Sequence, residues 1–218
     1  MKTNQEYKNV ALAALKGKWA PAVLCTIVYM VVACVVSTSA MLINPASAMG
    51  VLMTANLVSF VLTLLVAFPL GVGYYNVHKE LLLKGDDKMT ENTFRIGFSN
   101  WAHNTWGMTL MGIFVFLWSL LLLIPGIIKA FAYALVPYIL ADKPELSANE
   151  AINLSMKMMK GHKFDFFWLS ISFVGWIFLG MLTLGIGYFW LMPYIYTTYA
   201  AFYQDVKAEY EAKVNINN

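Results

Sequence analysis

The sequence predicts an all-α polytopic membrane protein, a transmembrane helical bundle of about six spans arranged as three helical hairpins. Three observations predict it. Of the 218 residues, 60% are hydrophobic and only 12% are charged, whereas roughly a quarter of an ordinary soluble domain is charged. Several stretches reach the length of about 20 apolar residues needed to cross hydrocarbon. No stretch alternates apolar and polar residues as a half-buried strand would.

The elements follow in order. Residues 1–19 carry Lys2, Lys8, Lys16 and Lys18, with Val10, Ala11, Ala14, Leu15 and Trp19 at helical spacing, the pattern of an amphipathic cytoplasmic helix on the membrane surface. Residues 20–43 hold no charge and form span one, which Asn44-Pro45 ends. Ala46-Ser47-Ala48 has the small-x-small form of a signal cleavage site, but the apolar run before it is too long and its charged lead exceeds a typical leader, so the span is retained. Span two covers 51–68 and is interrupted by Pro69, Gly71 and Gly73. Tyr74, Tyr75, His78 and Lys79 suit an interface, and 81–103 reads as a polar loop with one short surface helix.

Span three covers 106–124, Pro125-Gly126 makes a turn, and span four covers 127–141. Ser147-Ala-Asn-Glu150 is a capping-box pattern that starts a cytoplasmic helix around 147–160. Its apolar face holds Ile152, Met156 and Met159, and Gly161 ends it. Span five covers 164–184, Gly185-Ile-Gly187 turns, and span six covers 188–203. The six spans form a single membrane domain over 20–205, and 206–218 is a charged cytoplasmic tail.

Charge sets the orientation. Of fifteen Lys and Arg, every one but Lys129 falls in the N-terminal segment, the two long connections or the tail, and all twelve carboxylates fall on that same side, Asp165 at the start of span five. By the positive-inside rule that side is cytoplasmic, with both termini inside. The expected location is a bacterial cytoplasmic (inner) membrane. A net charge of +3 in separated groups argues against nucleic acid as partner and for membrane lipids or another membrane protein.

The chemistry is sparse. No Asp, Glu, His or Arg falls mid-span, which argues against a proton-coupled pump. His78, His103 and His162 lack metal-ligand spacing, and no nucleophile elbow or phosphate-cradling loop appears. Hence no catalytic residue, cofactor or metal is expected. Cys25 and Cys34, nine residues apart, would be separated by about 13 Å on one helix, beyond disulfide reach. Two candidate contacts remain. Lys157, Lys160, His162 and Lys163 form a basic cluster suited to lipid headgroups, and Lys129 beside the outer turn is either a snorkelling lysine or a contact for an outer-leaflet anion.

The stretch 124–142, then Ser147-Ala-Asn-Glu-Ala-Ile152, Met159-Lys-Gly-His-Lys163, Phe173-Val-Gly-Trp176, Leu182-Thr-Leu-Gly-Ile-Gly187 and Pro193-Tyr-Ile195 resemble a bacterial multi-pass membrane protein family, domain of unknown function 975. The resemblance is specific over about 120–205 and implies an inner-membrane location but no catalytic residues. A remoter likeness to membrane domains of glycerophosphodiester phosphodiesterases implies an accessory role in lipid metabolism. The expected function is a non-enzymatic integral membrane protein binding lipid or a partner through a basic cytoplasmic face. The alternative is a transporter or channel for a small or lipid-like solute, against which the breaks at span ends argue.

Overall fold

The computed structural model describes residues 1–38, 49–121 and 123–216; the turn expected at Asn44-Pro45 lies outside them. Among the described residues the structure is helical throughout, without strands. The helices are α1 (Asn4–Leu15), α2 (Trp19–Thr38), α3 (Met49–Leu62), α4 (Phe68–Lys84), α5 (Met89–Ser99), α6 (Trp101–Leu121), α7 (Leu123–Ala132), α8 (Val136–Asp142), α9 (Ala148–Met158), α10 (Lys163–Ile171), α11 (Val174–Leu182) and α12 (Tyr188–Ile216). A π-turn, Thr63–Ala67, joins α3 to α4. Among the described residues, four stretches are long and apolar enough to cross a membrane: Trp19–Val36, Met49–Lys84, Ile124–Asp142 and Lys163–Leu182.

α1 starts on a capping box. Thr3 Oγ1 accepts from the Glu6 amide at 3.3 Å, and the Glu6 carboxylate accepts from the Thr3 amide at 2.6 Å. Its buried face is Tyr7, Lys8, Ala11 and Leu15, whereas Val10, expected on that face, is exposed. α1 lies antiparallel along α12: Lys2 pairs with Asp205 at 2.5 Å, and Tyr7 packs edge-on against Phe202. Further along, Leu12 shares a hollow with Leu191 and Tyr194. The helix therefore covers part of the bundle with the face that the sequence analysis assigned to the membrane surface.

Pro69 does not end the second helix. Proline cannot donate to the carbonyl four residues earlier, and here that carbonyl, Leu65 O, accepts instead from Trp101 Nε1 at 2.7 Å. The π-turn absorbs the mismatch, and helix runs on to Lys84, where Gly85 closes it at φ +63°. The expected 81–103 loop is correspondingly mostly helix, the end of α4, then α5 and the start of α6. Gly73 and Gly97 allow α5 to lie backbone-to-backbone on α4. A Cβ on Gly97 would sit 2.5 Å from Pro69 O, and one on Gly73 would strike the Thr93 carbonyl.

α6 and α7 run side by side in opposite directions, with Ser119 against Gly126 and Phe114 against Tyr133. Pro125 and Gly126 fall inside the start of α7 rather than between two helices. The break before α8 sits ahead of Pro137, where the Tyr133 carbonyl that proline cannot use accepts from the Val136 amide at 3.0 Å. α9 begins on the expected box: the Glu150 amide donates to Ser147 Oγ at 3.3 Å, and Gly161 follows its end at φ +94°. Instead of standing clear of the bundle, α9 packs on it, and Ser155 Oγ donates to Ala132 O at 2.8 Å.

α10 and α11 are separated at Ser172–Phe173, where Lys8 Nζ donates to Ser172 O at 3.0 Å and lies 4.4 Å from the Phe173 ring centroid. The turn between α11 and α12 places Leu184 and Gly185 at positive φ. α12 then extends 29 residues through Pro193. The expected tail is therefore helical as far as Ile216.

The core lies between α4, α8 and α12, roofed by α1, α9 and α10. Met49–Leu62 and Val174–Leu182, by contrast, bury one residue each, Ser59 and Gly180.

Candidate functional site: a cleft with a tyrosine floor

Three helices converge on one polar, aromatic patch. On α4, Asn76 and Lys79 share a face three residues apart, and Asn76 Nδ2 donates to Pro137 O at 2.7 Å and to Val72 O at 2.8 Å. Lys79 Nζ donates to Asn76 Oδ1 at 2.7 Å and pairs with the Asp142 carboxylate at the end of α8. On α12, Tyr203 and Lys207 are one turn apart and both reach Asp142 Oδ2, at 2.9 and 2.7 Å. One carboxylate thus ties three helices, with a second lysine as surplus positive charge. A buried pair adds little net stability, but losing one partner strands the other charge.

Above this knot the interior is tyrosine. Tyr138 stacks on Tyr203 at 4.7 Å, Tyr75 meets Tyr138 and Tyr196 edge-on at 5.6 and 4.8 Å, and Tyr74 stacks on Tyr29 at 4.2 Å. His78 is fully buried, its Nδ1 2.7 Å from the Tyr74 carbonyl. Its Nε2 and the buried Tyr138 hydroxyl have no hydrogen-bond partner among the described residues.

A cleft of about 700 Å³ opens between α6, α7, α8, α10 and α12 onto this floor. Tyr75, Tyr138 and Tyr199 form its base, and Met111, Val115, Phe131 and Phe166 are among its walls. Tyr199 Oη donates to Ser170 Oγ at 3.2 Å, so its polar groups are few and placed. Volume and lining match small-molecule and lipid-chain sites, which are concave, apolar and about 300–1,000 Å³. Phe131 also bounds a neighbouring hollow of about 340 Å³, otherwise walled by Ile124, Ile127, Ile128, Phe164 and Phe167, with Lys163 as its one cation.

The predicted basic cluster is divided. Lys157, Lys160 and His162 share a shallow hollow with Lys213 on α12, while Lys163 turns to the apolar hollow by α7. His162 is flanked by Glu209 at 3.3 Å and Asp165 at 3.5 Å. Lys129 lies 4.6 Å from the Trp118 ring centroid and 3.8 Å from Met156 Sδ on α9. Neither it nor Lys163 has a carboxylate within bridging distance among the described residues. Cys25 and Cys34 form no disulfide, and no group of His, Cys, Asp and Glu suited to a metal is found among the described residues.

The sequence reading missed the Asp142 knot because Asp142 stands at a predicted span end, where a carboxylate needs no explanation. A signal was present in the i, i+3 pair Asn76/Lys79 and the i, i+4 series Tyr199, Tyr203, Lys207.

The profile of a family described as a protein of unknown function, DUF975, matches residues 51–210, most of the chain and all of the helices that build the cleft. The chain belongs to this family. No curated protein and no solved structure matches it. In this DUF975 protein, α1 and the whole of α2 lie ahead of the matched region. The helices that carry the knot and the cleft lie within it.

Proposed function

We propose that this DUF975 protein is a six-span, non-enzymatic protein of the bacterial cytoplasmic membrane that binds lipid in the cleft, with both termini and its basic face in the cytoplasm. The three pairs α2 with α3, α6 with α7, and α10–α11 with α12 are hairpins entering from one side. Exposure supports the placement. Residues 49–67 are mostly apolar and bury Ser59 alone, and a helix of that length rises about 28 Å, close to the hydrocarbon thickness of about 30 Å. Beyond Pro69 the same helix is flanked by α5, whose Arg95 is largely exposed, so the hydrocarbon ends near Pro69. The α6–α7 hairpin is the shallowest, because Lys129 and Lys163 both lie along α7.

The observation that carries the lipid reading is the cleft itself, an apolar space of about 700 Å³ between outward-facing helices, ending on hydroxyl groups. Gly112 lines it, and a Cβ there meets nothing within 4 Å, so Gly112→Phe fills the cleft without a backbone clash. Lipid retained per protein after purification should fall by about a third in this variant at unchanged melting temperature, one of three apolar hollows being closed. Unchanged retention would show that the cleft holds no lipid. A single cysteine at Asn149 should react with an impermeant reagent only from the cytoplasmic side; labelling from outside would reverse the topology.

A further inference from the structure

We propose that Lys163 and the apolar hollow beside α7 form a binding site for an anionic phospholipid, the ammonium holding the headgroup phosphate and the hollow an acyl chain. This rests on the membrane placement proposed above and adds a headgroup preference that the cleft alone does not supply.

Three observations carry it. The hollow, of about 340 Å³, is built entirely of Ile124, Ile127, Ile128, Phe131, Phe164 and Phe167 apart from Lys163. Its walls face outward, with Ile124 and Phe164 71% and 74% exposed, so bilayer lipid is the medium that covers them. Lys163 has no carboxylate within bridging distance among the described residues, because the nearby Asp165 turns to His162 at 3.5 Å. A cation with no counter-charge at the mouth of an apolar groove is complementary to an amphiphile with one anionic end. Lys157 and Lys160 cannot serve the same molecule, since they face the hollow by α12. Phe131, shared with the tyrosine-floored cleft and in edge contact with Phe166 and Phe167 at 5.9 and 5.8 Å, is the wall between the two spaces.

The test is a titration of the delipidated full-length protein in detergent with phosphatidylglycerol or phosphatidylcholine, counting bound lipid by native mass spectrometry. The wild type should prefer phosphatidylglycerol about fivefold, the effect of roughly one near-surface cation. Lys163→Gln should remove that preference while Lys163→Arg and Lys157→Gln retain it. Phe164→Ala should weaken both lipids alike, and equal melting temperatures would certify the fold. Equal binding of the two lipids by the wild type, or a preference that survives in Lys163→Gln, overturns the site while leaving lipid binding intact. Absence of either lipid from the wild type defeats the lipid-binding reading itself. Oleate displacing phosphatidylglycerol at equal concentration would overturn the assignment to a phospholipid.

Discussion

Residues 49–67 and 68–84 belong to one continuous helical stretch, yet they live in different surroundings. In the first part Met49, Met53, Leu57 and Phe60 are each more than 60% exposed, whereas in the second Leu70, Val72 and His78 are completely buried. Hydropathy differs between the parts, since Asn76, His78, Lys79, Glu80 and Lys84 all fall in the second, yet the 36-residue stretch as a whole is long and apolar enough to cross a membrane. Side-chain size separates them. Gly73 on α4 and Gly97 on α5 let the second part and α5 approach closely, while most large side chains of the first part are left uncovered by protein. Small residues thus decide where a second helix can pack against this one.

The comparison can be broken most forcefully at the knot. Asp142→Ala leaves Lys79 buried without a counter-charge and should destabilise the protein by about 3 kcal/mol in denaturant unfolding. A loss under about 1 kcal/mol would mean that water reaches the cluster. Next in size, Gly73→Val forces α5 away from α4 and should cost about 2 kcal/mol. Gly50→Val in the first part, where a Cβ meets nothing within 4 Å, should stay within about 0.5 kcal/mol. Equal costs at Gly50 and Gly73 would erase the distinction between the two halves.

Tyr138→Phe removes a buried hydroxyl that has no partner among the described residues. Stability should remain within about 0.5 kcal/mol or rise, and a larger loss would reveal a hydrogen bond, such as one to water in the cleft. Smallest is a pH effect at α9. Hydrogen bonds from the Ser147 hydroxyl and amide hold the Glu150 carboxyl below its usual range. A carboxylate with a depressed pKa contributes stability above the unfolded value of 4.5 and loses it as pH falls through the folded one. Amide exchange at the start of α9 should accelerate as pH falls below 4.5, after correction for intrinsic exchange, and Glu150→Gln should flatten that dependence.

Helix content, the α9 capping box, Gly161 as its stop and the Gly185 turn were legible because each is a local contest between backbone and side chain. Pro69 was misread because its consequence depended on Trp101, which meets Leu65 O from 36 residues further along the chain. The positions of α5 and α9 were illegible for a related reason. Both are polar enough to read as surface helices, yet each turns a narrow face inward, Asn92, Thr93 and Gly97 on one and Ala151, Ile152 and Ser155 on the other. At the candidate site, residue type located the basic residues, but only the fold separated Lys163 from Lys157 and Lys160.

The clasp between Lys2 and Asp205 joins groups 203 residues apart. As the chain is synthesised, α1 cannot close on α12 until Asp205 has emerged, and Tyr7 must wait uncovered meanwhile. Cutting α12 ahead of Phe202 would leave Tyr7 without both the ring and the carboxylate it meets, so the settling of α1 waits on a segment made long after it.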